Sequence, residues 1–398
     1  MPYETTTRVV ILGAGPAGLT LGNLLHARGI PCVVVDKFDK EQLLGRTRAG
    51  LLEYRTVETM RRMGLADRLL KEGHRHTGCE FRFTGRRTYT DFSELYEGRS
   101  HHVYPQQEVV ADLLDGLLRA GGDVRLGVAA ESLEQNGDGV TVHLADGSVL
   151  HGAFVAGADG QHGVARASTP PGAVTEYEMV HEFQWLTLIA TAAPSAEWTI
   201  YAQHERGFAG HLLRSDTVTR FHLQVSVGDT VEMWPDDRIW AELRARLAHP
   251  GWTLHEGPVI SKNMLDMRSR VAEPMQYGRV FLLGDAAHII SPSGGKGLNL
   301  AVADAVELDR VLAEYDRAGD GTDPGPLAAY SARRVPDVWQ AQEFSHALLH
   351  MMHTYPPGAP DAAFRQRLQQ SRLAQLANSE HYARSFATRY IGPLPTHS

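Results

Sequence analysis

The sequence has 398 residues, 43% of them hydrophobic and 22% charged, which is typical of a globular protein large enough for two domains. A net charge of −8 without a Lys/Arg stripe argues against a nucleic-acid partner, and no run of about 20 apolar residues suggests a membrane span. The N-terminus lacks the pattern of a secretory signal and two cysteines indicate no disulfide framework, so we expect a cytoplasmic protein.

The first motif is a glycine turn between a strand and a helix. An apolar run at residues 8–12 precedes Gly13, Gly15 and Gly18, and the second strand ends in Asp36. Gly13 suits a tight turn, Gly15 lets the backbone approach a pyrophosphate, and Gly18 allows close helix packing. Asp36 can accept hydrogen bonds from a ribose. The motif predicts dinucleotide binding without choosing between FAD and NAD.

The next segment, GRTRAG at residues 45–50, places Arg46 and Arg48 two residues apart between glycines. Two guanidinium groups so placed suit a pyrophosphate or a second anionic cofactor, and solvated surface arginines are the alternative. Residues 51–71 interleave apolar and charged residues as an amphipathic helical region does.

Strand patterns dominate the middle of the chain. Residues 77–92 predict a hairpin that turns at Gly85, and residues 124–152 predict a meander because Asn-Gly and Asp-Gly pairs separate its apolar runs. Further runs rich in aromatic and β-branched residues have no glycine fingerprint and predict an antiparallel sheet in a separate substrate domain. These runs are residues 183–190, 198–202 and 217–227.

Two more strand patterns end in an acid beside a glycine. Asp159 precedes Gly160, and Asp285 follows the apolar run at residues 280–283. Ligands bind at the carboxyl ends of strands in open α/β sheets, so both acids are candidate dinucleotide contacts, although a plain turn or a helix cap is the alternative for each. The glycines after Asp285 allow close backbone approach, and the helix that follows would direct its positive end at a ligand.

The chain becomes helical after residue 300, with a break at Pro356-Pro357. On that segment His346, His350 and His353 share one helical face, as metal ligands could. Their apolar neighbours and the lack of an HExxH motif favour a core or interface helix, so we predict no metal site.

Three strings in order, GAGPAG, GADGQHGVAR and LLGDAAHIISPSGGKGLNL, resemble those of the para-hydroxybenzoate hydroxylase family within the group A flavoprotein aromatic hydroxylases. The resemblance covers nearly the whole chain, through GRTRAGLLE, WLTLIA, RVAEPMQYGRVFLLGDAAHI and the terminal RYIG. It implies FAD, with NADPH or NADH as a transient co-substrate.

The expected fold class is therefore mixed α/β (α+β), with a Rossmann-like FAD-binding domain, an antiparallel-sheet substrate domain and C-terminal helices. We also expect a homodimer. The predicted domains are residues 1–75, 100–176 and 269–330 for FAD, 76–99 and 177–268 for the substrate sheet, and 331–398 for the helical region.

The resemblance also implies roles at the cofactor. Asp36 would hold the adenosine ribose, and Asp159 and Asp285 would complete the FAD site. Arg48 and Gln106 would contact the diphosphate and ribityl region.

Leu298 and Asn299 would place backbone N–H groups beside the flavin ring. The residues matching positions used for NADPH are Lys37, His162, Arg166 and Arg268. Glu41 and Gln42 depart from the family pattern, so the choice between NADPH and NADH stays open.

At the substrate, Tyr201 and Tyr390 match the tyrosine pair of the family, and His76 matches the histidine that passes the phenolic proton to solvent. Loss of that proton makes the ring electron-rich ortho to its oxygen, which hydroxylation requires. The Pro292 carbonyl would contact the substrate hydroxyl, and Arg214 would pair with the substrate carboxylate.

Two further carboxylate partners of the family, a serine and a tyrosine, are Leu212 and His222 here. If His222 supplies a donor, binding should weaken as it deprotonates with rising pH. The implied reaction uses O2 to hydroxylate a para-hydroxylated aromatic acid ortho to its phenol, as in 4-hydroxybenzoate to 3,4-dihydroxybenzoate or a close analogue. The alternatives are a non-hydroxylating flavin-binding protein and an NAD-dependent oxidoreductase.

Overall fold

The structure is a computed structural model that describes residues 3–46, 50–137, 139–318, 325–355 and 358–393. The strands of its N-terminal part are β1 (Glu4–Leu12), β2 (Cys32–Asp36), β3 (Leu51–Leu52), β4 (His74–His76), β5 (Gly78–Phe83), β6 (Arg86–Asp91), β7 (His101–Val103), β8 (Asp123–Leu126), β9 (Ala130–Gln135), β10 (Val140–Leu144) and β11 (Val149–Gly157). The later strands are β12 (Thr175–Ala190), β13 (Thr199–Ala202), β14 (Ala209–Ser215), β15 (Val218–Val225), β16 (Val259–Glu273), β17 (Gln276–Tyr277), β18 (Val280–Leu282) and β19 (His288–Ile289).

The helices that cover these strands differ in length from 4 to 28 residues. They are α1 (Pro16–Ala27), α2 (Lys40–Leu44), α3 (Tyr54–Arg62), α4 (Asp67–Glu72), α5 (Phe92–Leu95), α6 (Gln106–Arg119), α7 (Val164–Ala167), α8 (Asp236–Arg246), α9 (Gly297–Ala318), α10 (Gly325–Met352), α11 (Ala362–Asn378) and α12 (Glu380–Ile391). Short 3-10 turns lie at Val231–Met233, Gly284–Ala286 and Pro292–Gly294. Across the described ranges, no helix has both the length and the apolar character needed to cross a bilayer.

The first sheet has the strand order β17-β18-β11-β1-β2-β8, and the pairs from β18 to β8 are parallel. Its central strands are nearly continuous apolar runs because helices cover both faces, as the burial of residues 9–12 and 33–35 shows. β9, β10 and β11 form the predicted antiparallel meander. The Rossmann-like part of the predicted fold is confirmed.

The second sheet has the order β19-β16-β12-β15-β14-β13-β5-β6 and is antiparallel except where β13 meets β5. One face, which includes Phe81, Trp185 and Tyr201, packs against α10, α11 and α12. The other face, which includes Leu188 and Phe221, packs against α8. Because side chains alternate between faces, every second residue of these strands points toward the C-terminal helices.

The structure can be compared with the predictions made for the Gly85 hairpin, for residues 51–71 and for the break at Pro356-Pro357. The hairpin at Gly85 is confirmed, with φ of +72° at that glycine. The helical region predicted at residues 51–71 contains two helices, α3 and α4, which follow the short strand β3 and are separated at Gly64, where φ is +70°. Pro356 and Pro357 lie outside the described residues.

A buried ion-pair network fixes the loop that follows β18. Asp304 on α9 accepts hydrogen bonds from the Gly284 backbone N–H at 2.9 Å and from Arg334 Nε at 2.7 Å, and it contacts His288 Nε2 at 2.7 Å. Arg334 on α10 also donates to Asp337, at 2.5 Å. The network therefore ties the Gly284-Asp285 loop to the two longest helices.

The network should make unfolding sensitive to acid. Burial alone would raise the pKa of Asp337, but the charges of Arg55 and Arg334 outweigh it and lower the pKa to about 2. A depressed carboxyl pKa contributes stability above pH 4 that is lost as pH falls toward 2, about 2 kcal/mol here. We expect urea unfolding to show wild type more stable than Asp337→Asn at pH 6, with the difference shrinking between pH 4 and 2. A difference that does not change with pH would contradict this assignment.

Candidate active site

Three strand ends of the first sheet meet at one edge. β1, β11 and β18 are adjacent and parallel, with Leu12 opposite Gly157 and Gly157 opposite Leu282. The loops that begin at residues 13, 158 and 283 therefore leave the sheet side by side. The structure brings together the three motifs that sequence analysis selected for the dinucleotide.

The glycine turn after β1 has the geometry that each of its positions requires. Gly13 has φ of +102°, and a Cβ there would lie 2.3 Å from the Ala158 carbonyl oxygen. A Cβ on Gly18 would lie 1.9 Å from the Gly13 carbonyl oxygen, so this glycine permits helix packing. A Cβ on Gly15 would meet nothing within 4 Å, so Gly15 borders open space at the start of α1. This space, beside the positive end of a helix, suits a pyrophosphate.

Asp36 is held rigidly at the end of β2. Its Oδ2 accepts from the Ala14 N–H at 2.7 Å and its Oδ1 from the Phe38 N–H at 2.8 Å. Each carboxylate oxygen keeps a further lone pair for a ribose hydroxyl. Lys37 and Arg46 both place their cations over the Phe38 ring, at 5.2 and 4.7 Å from its centroid, so positive charge lies beside this carboxylate.

The two later acids differ in their surroundings. Asp159 Oδ2 accepts from the Ala165 N–H at 2.9 Å and so caps α7, whereas its Oδ1 is buried and has no hydrogen-bond partner among the described residues. Burial raises the pKa of Asp159. The Asp285 side chain is exposed at the same edge, and its backbone carbonyl accepts from Arg270 at 2.9 Å. The unpartnered oxygen of Asp159 is a group that a bound cofactor can satisfy.

The beginning of α9 offers its backbone. The Asn299 side chain accepts from the Glu53 N–H at 2.8 Å and from the Thr56 hydroxyl at 2.7 Å, and it donates to the Leu51 carbonyl at 2.8 Å. These bonds hold residues 51–56 against α9 and use the hydrogen-bonding groups of the Asn299 side chain. The groups left for a flavin ring at Leu298 and Asn299 are the backbone N–H groups of the first helical turn, which have no acceptor within the helix.

Lys296, which sequence analysis did not select, lies buried just before α9. Its ammonium donates to Glu53 Oε1 at 2.7 Å and to the Tyr390 carbonyl at 2.6 Å. Burial lowers the pKa of Lys296, against the opposing charge of Glu53. The sequence could have indicated Lys296 through its position in the GGKGLNL string, beside the residues predicted for the flavin ring.

Gln106 and Arg48 were predicted at the diphosphate and ribityl region. Gln106 is the first residue of α6 and packs against the backbone of Gly50, where a Cβ would lie 2.8 Å from Gln106 N. Arg48 lies outside the described residues.

A buried chain of polar atoms begins at Tyr201 on the second sheet. The Tyr201 and Tyr390 hydroxyl oxygens lie 3.4 Å apart, and Tyr390 Oη lies 3.4 Å from His76 Nε2. Cys79 Sγ, which sequence analysis missed, donates to Tyr390 Oη at 3.4 Å. The structure thus brings together the three residues predicted to move the phenolic proton, although they are far apart in sequence.

Burial sets the protonation of this chain. It raises the pKa of both Tyr201 and Tyr390, so both hydroxyls stay protonated at neutral pH. It lowers the pKa of His76 to about 4, so this imidazole is neutral above that pH and can accept a proton. The arrangement suits stepwise transfer of a proton between neutral groups.

The carbonyl beside Tyr201 belongs to Ser293. Tyr201 Oη donates to the Ser293 carbonyl at 3.1 Å, whereas the Pro292 carbonyl accepts from the Gly295 N–H at 3.0 Å within the turn at Pro292–Gly294. The predicted contact of Pro292 with a substrate hydroxyl would use the second lone pair of that oxygen.

Strand register places the predicted substrate residues on one surface. Tyr201 is opposite Gly210, and Gly210 is opposite His222, while Leu212 is opposite Arg220. Leu212 is half-buried and offers no hydrogen bond.

Two guanidinium groups lie near this surface. Arg214 is half-buried and donates to Gln107 Oε1 at 3.3 Å, and burial lowers its pKa. Arg220, which sequence analysis did not assign, is buried, and burial with the charge of Arg214 lowers its pKa to about 10. Both remain cationic at neutral pH. Two partly desolvated cations side by side favour an anionic ligand.

His222 does not have the pH response that the sequence suggested. Its Nδ1 lies 3.0 Å from the Thr187 hydroxyl and its ring packs 4.4 Å from Trp185. Burial and the charge of Arg220 lower the pKa of His222 well below its usual value. The ring is already neutral at neutral pH, so binding should not weaken through deprotonation of His222 above that pH, while its role as a donor stays a prediction.

The residues predicted for the nicotinamide nucleotide lie largely on the surface. His162 and Arg268 are exposed, and Arg166 pairs with Glu176 at 2.9 Å. Glu176 and Glu178 are both on β12, and Arg268 on β16 lies 3.8 Å from Glu178, so both arginines lie beside the same strand. Lys37 lies instead at the end of β2.

Known proteins share both the sequence pattern and this architecture. The FAD binding domain family matches residues 6–345. The p-hydroxybenzoate hydroxylase of Acinetobacter baylyi is 36% identical over 97% of this chain and 95% of its own length. The rifampicin monooxygenase of Streptomyces venezuelae is 31% identical over 87% of this chain and 72% of its own. The p-nitrophenol 4-monooxygenase structure from Pseudomonas putida, 21% identical, superposes with a TM-score of 0.79 over 98% of this chain and all of that one.

The fold, with its three converging strand ends, defines an FAD-binding flavoprotein, and the open space at Gly15 and the unpartnered Asp159 oxygen fit that cofactor. The chain belongs to the FAD binding domain family, within the flavin-dependent aromatic hydroxylases. It is a monooxygenase that uses FAD, with NADPH or NADH as co-substrate.

Proposed function

We propose that this enzyme hydroxylates a para-hydroxylated aromatic acid ortho to its phenol, with 4-hydroxybenzoate or a close analogue as substrate. One ring C–H becomes C–OH, the second oxygen atom of O2 leaves as water, and NAD(P)H supplies the two electrons. The observation that carries the proposal is the buried chain from Tyr201 through Tyr390 to His76, together with Arg214, whose charge acts on the buried Arg220 of the same sheet.

The residues proposed to hold FAD are Gly13, Gly15, Gly18, Asp36, Arg46, Arg48, Gln106, Asp159, Asp285 and the backbone of Leu298 and Asn299. Lys37, His162, Arg166 and Arg268 are proposed for the nicotinamide nucleotide. When bound, FAD takes a hydride from the nicotinamide and activates O2 for transfer of one oxygen atom.

The residues of the chain then act on the aromatic acid. Arg214 pairs with its carboxylate and so orients the ring, while Tyr201 accepts a hydrogen bond from the phenol or donates one to the phenolate. Tyr390 and His76 carry the proton away. A site of this kind has no use in a non-hydroxylating flavin-binding protein or in an NAD-dependent oxidoreductase, which would need only the dinucleotide loops. The homodimer stays a prediction.

The purified protein should carry one non-covalent FAD that denaturation releases. Para-hydroxylated aromatic acids should stimulate NAD(P)H oxidation and yield one dihydroxylated product per NAD(P)H. The measurement pairs absorbance of the nicotinamide with chromatography of the product, and meta-hydroxylated acids serve as controls. Release of FMN would refute the cofactor assignment, while FAD with no product from any para-hydroxylated acid would refute the substrate class alone.

A further inference from the structure

Three histidine rings from two elements converge in a place that the proposed reaction does not use. His181 lies within β12, where the register with β16 shifts between Val180 and Gln184, and His346 and His350 lie one turn apart near the end of α10. One ring nitrogen from each lies within 4.8 Å of the others. The His346 and His350 ring centroids are 4.1 Å apart, and those of His181 and His346 are 5.6 Å apart.

The nitrogens of this cluster fall into two sets. His181 Nδ1 and His350 Nε2 are buried without a hydrogen-bond partner among the described residues. The other nitrogen of each ring is engaged, since His181 Nε2 lies 3.0 Å from the Ser269 hydroxyl and His350 Nδ1 lies 2.7 Å from the Tyr355 hydroxyl. A ring nitrogen held by a protein group while the other has no protein partner is the pattern of metal-binding histidines.

We propose that His181, His346 and His350 bind one divalent cation of the zinc class, with a fourth position open to water. Three neutral imidazoles are a ligand set that Zn²⁺ accepts, whereas Mg²⁺ and Ca²⁺ require oxygen ligands. Around a tetrahedral Zn²⁺ with bonds of about 2.05 Å, the ligand nitrogens would lie about 3.3 Å apart. They lie within 4.8 Å of one another here, so binding would draw the three rings closer together. His346 is partly exposed, so the cation has a route from solvent.

The surroundings keep the ligands available. Burial lowers the pKa of His181 and is the largest cause of the lowering of the pKa of His350 to about 4. The groups that act on His350 besides burial are first His346 and His181, the other two proposed ligands, and then Arg365 and Arg372, whose charges weaken attraction of a cation. Arg365 is itself paired with Asp361 at 2.6 Å, which offsets part of its charge.

This set differs from the three histidines that the sequence spacing suggested. His353 is not part of it, because its Nε2 accepts from Trp185 Nε1 at 2.5 Å and its Nδ1 lies 2.7 Å from the Leu349 carbonyl. His181 on β12 takes the place of His353 as the third ligand. A cation here would fasten the end of α10 to β12 of the second sheet.

The test uses the FAD-loaded enzyme, stripped of metal with a chelator and titrated with Zn²⁺ by calorimetry. We expect one equivalent to bind and the melting temperature to rise with Zn²⁺ concentration by mass action. His346→Gln, a change at a partly exposed position, should weaken binding at least about 10-fold, because loss of a mere supporting hydrogen bond already costs a metal site that much. Hydroxylation by this variant should be unchanged.

Matched controls separate this site from adventitious binding. His381→Gln alters an exposed histidine on α12 and should bind Zn²⁺ as wild type does. Mg²⁺ should not bind, and Co²⁺ should show the visible absorption of a four-coordinate ion that His181→Gln abolishes. Absence of saturable Zn²⁺ binding, or equal affinity in wild type, His346→Gln and His181→Gln, would overturn the proposal whatever the aromatic substrate proves to be.

Discussion

Tyr201→Phe should slow formation of hydroxylated product about 100-fold, the lower end of what a positioned proton-transfer group contributes. Flavin reduction by the nicotinamide should continue, because Tyr201 is on the second sheet and not among the residues proposed for either nucleotide. NAD(P)H that is oxidised without hydroxylation of the ring should reduce O2 to hydrogen peroxide. Product and peroxide per NAD(P)H, measured together, report this partition.

The control for this variant is Tyr89→Phe, which removes the hydroxyl of a tyrosine that is 42% exposed and bonded to Thr77. That variant should keep the wild-type product yield. Tyr390→Phe should reproduce the Tyr201 phenotype, since Tyr390 connects Tyr201 to His76. An unchanged product yield per NAD(P)H in Tyr201→Phe would remove this residue from the mechanism.

Arg214→Ala should weaken binding of the carboxylated substrate by roughly 30-fold or more, because loss of a charge-assisted pair costs about 2–5 kcal/mol. The guanidinium is partly desolvated beside a second cation, Arg220, so an anionic ligand gains from both charges. Titration of the flavin absorbance with substrate measures the dissociation constant.

A neutral phenol of the same ring size is the matched ligand for this experiment. Its affinity should be similar in wild type and Arg214→Ala, since it has no carboxylate to lose a partner. Arg214→Lys should retain part of the affinity for the acid, because an ammonium keeps the charge but not the two-pronged geometry. If the acid binds Arg214→Ala as tightly as wild type, the pocket does not select a carboxylate through this residue.

Local pattern and topology together explain how much of the fold could be predicted. The glycine turn at Gly13 and the acids Asp159 and Asp285 were found in the sequence because each follows a buried strand. Adjacent parallel strands end at one edge, so these loops had to meet. β14 and β16 were missed because their residues do not alternate cleanly, as the exposed and half-buried positions along β16 show.

The candidate site was less accessible to sequence alone. Tyr201, Tyr390 and His76 came from resemblance, since nothing in their local sequence indicates a shared chain of hydrogen bonds. The pair of Lys296 with Glu53 and the convergence of His181 on α10 join residues more than 150 positions apart. Such contacts depend on how helices dock, which neither spacing nor composition specifies.

The position of α12 has a consequence for how the enzyme matures. This last described helix supplies the Tyr390 hydroxyl to the buried chain and the Tyr390 carbonyl to Lys296, beside the first turn of α9. A nascent chain can therefore form the Rossmann-like sheet well before it can form a working site. Hydroxylation as proposed would need α12 to be synthesised and docked, and protein that lacks α12 would keep the dinucleotide loops without the proposed proton path.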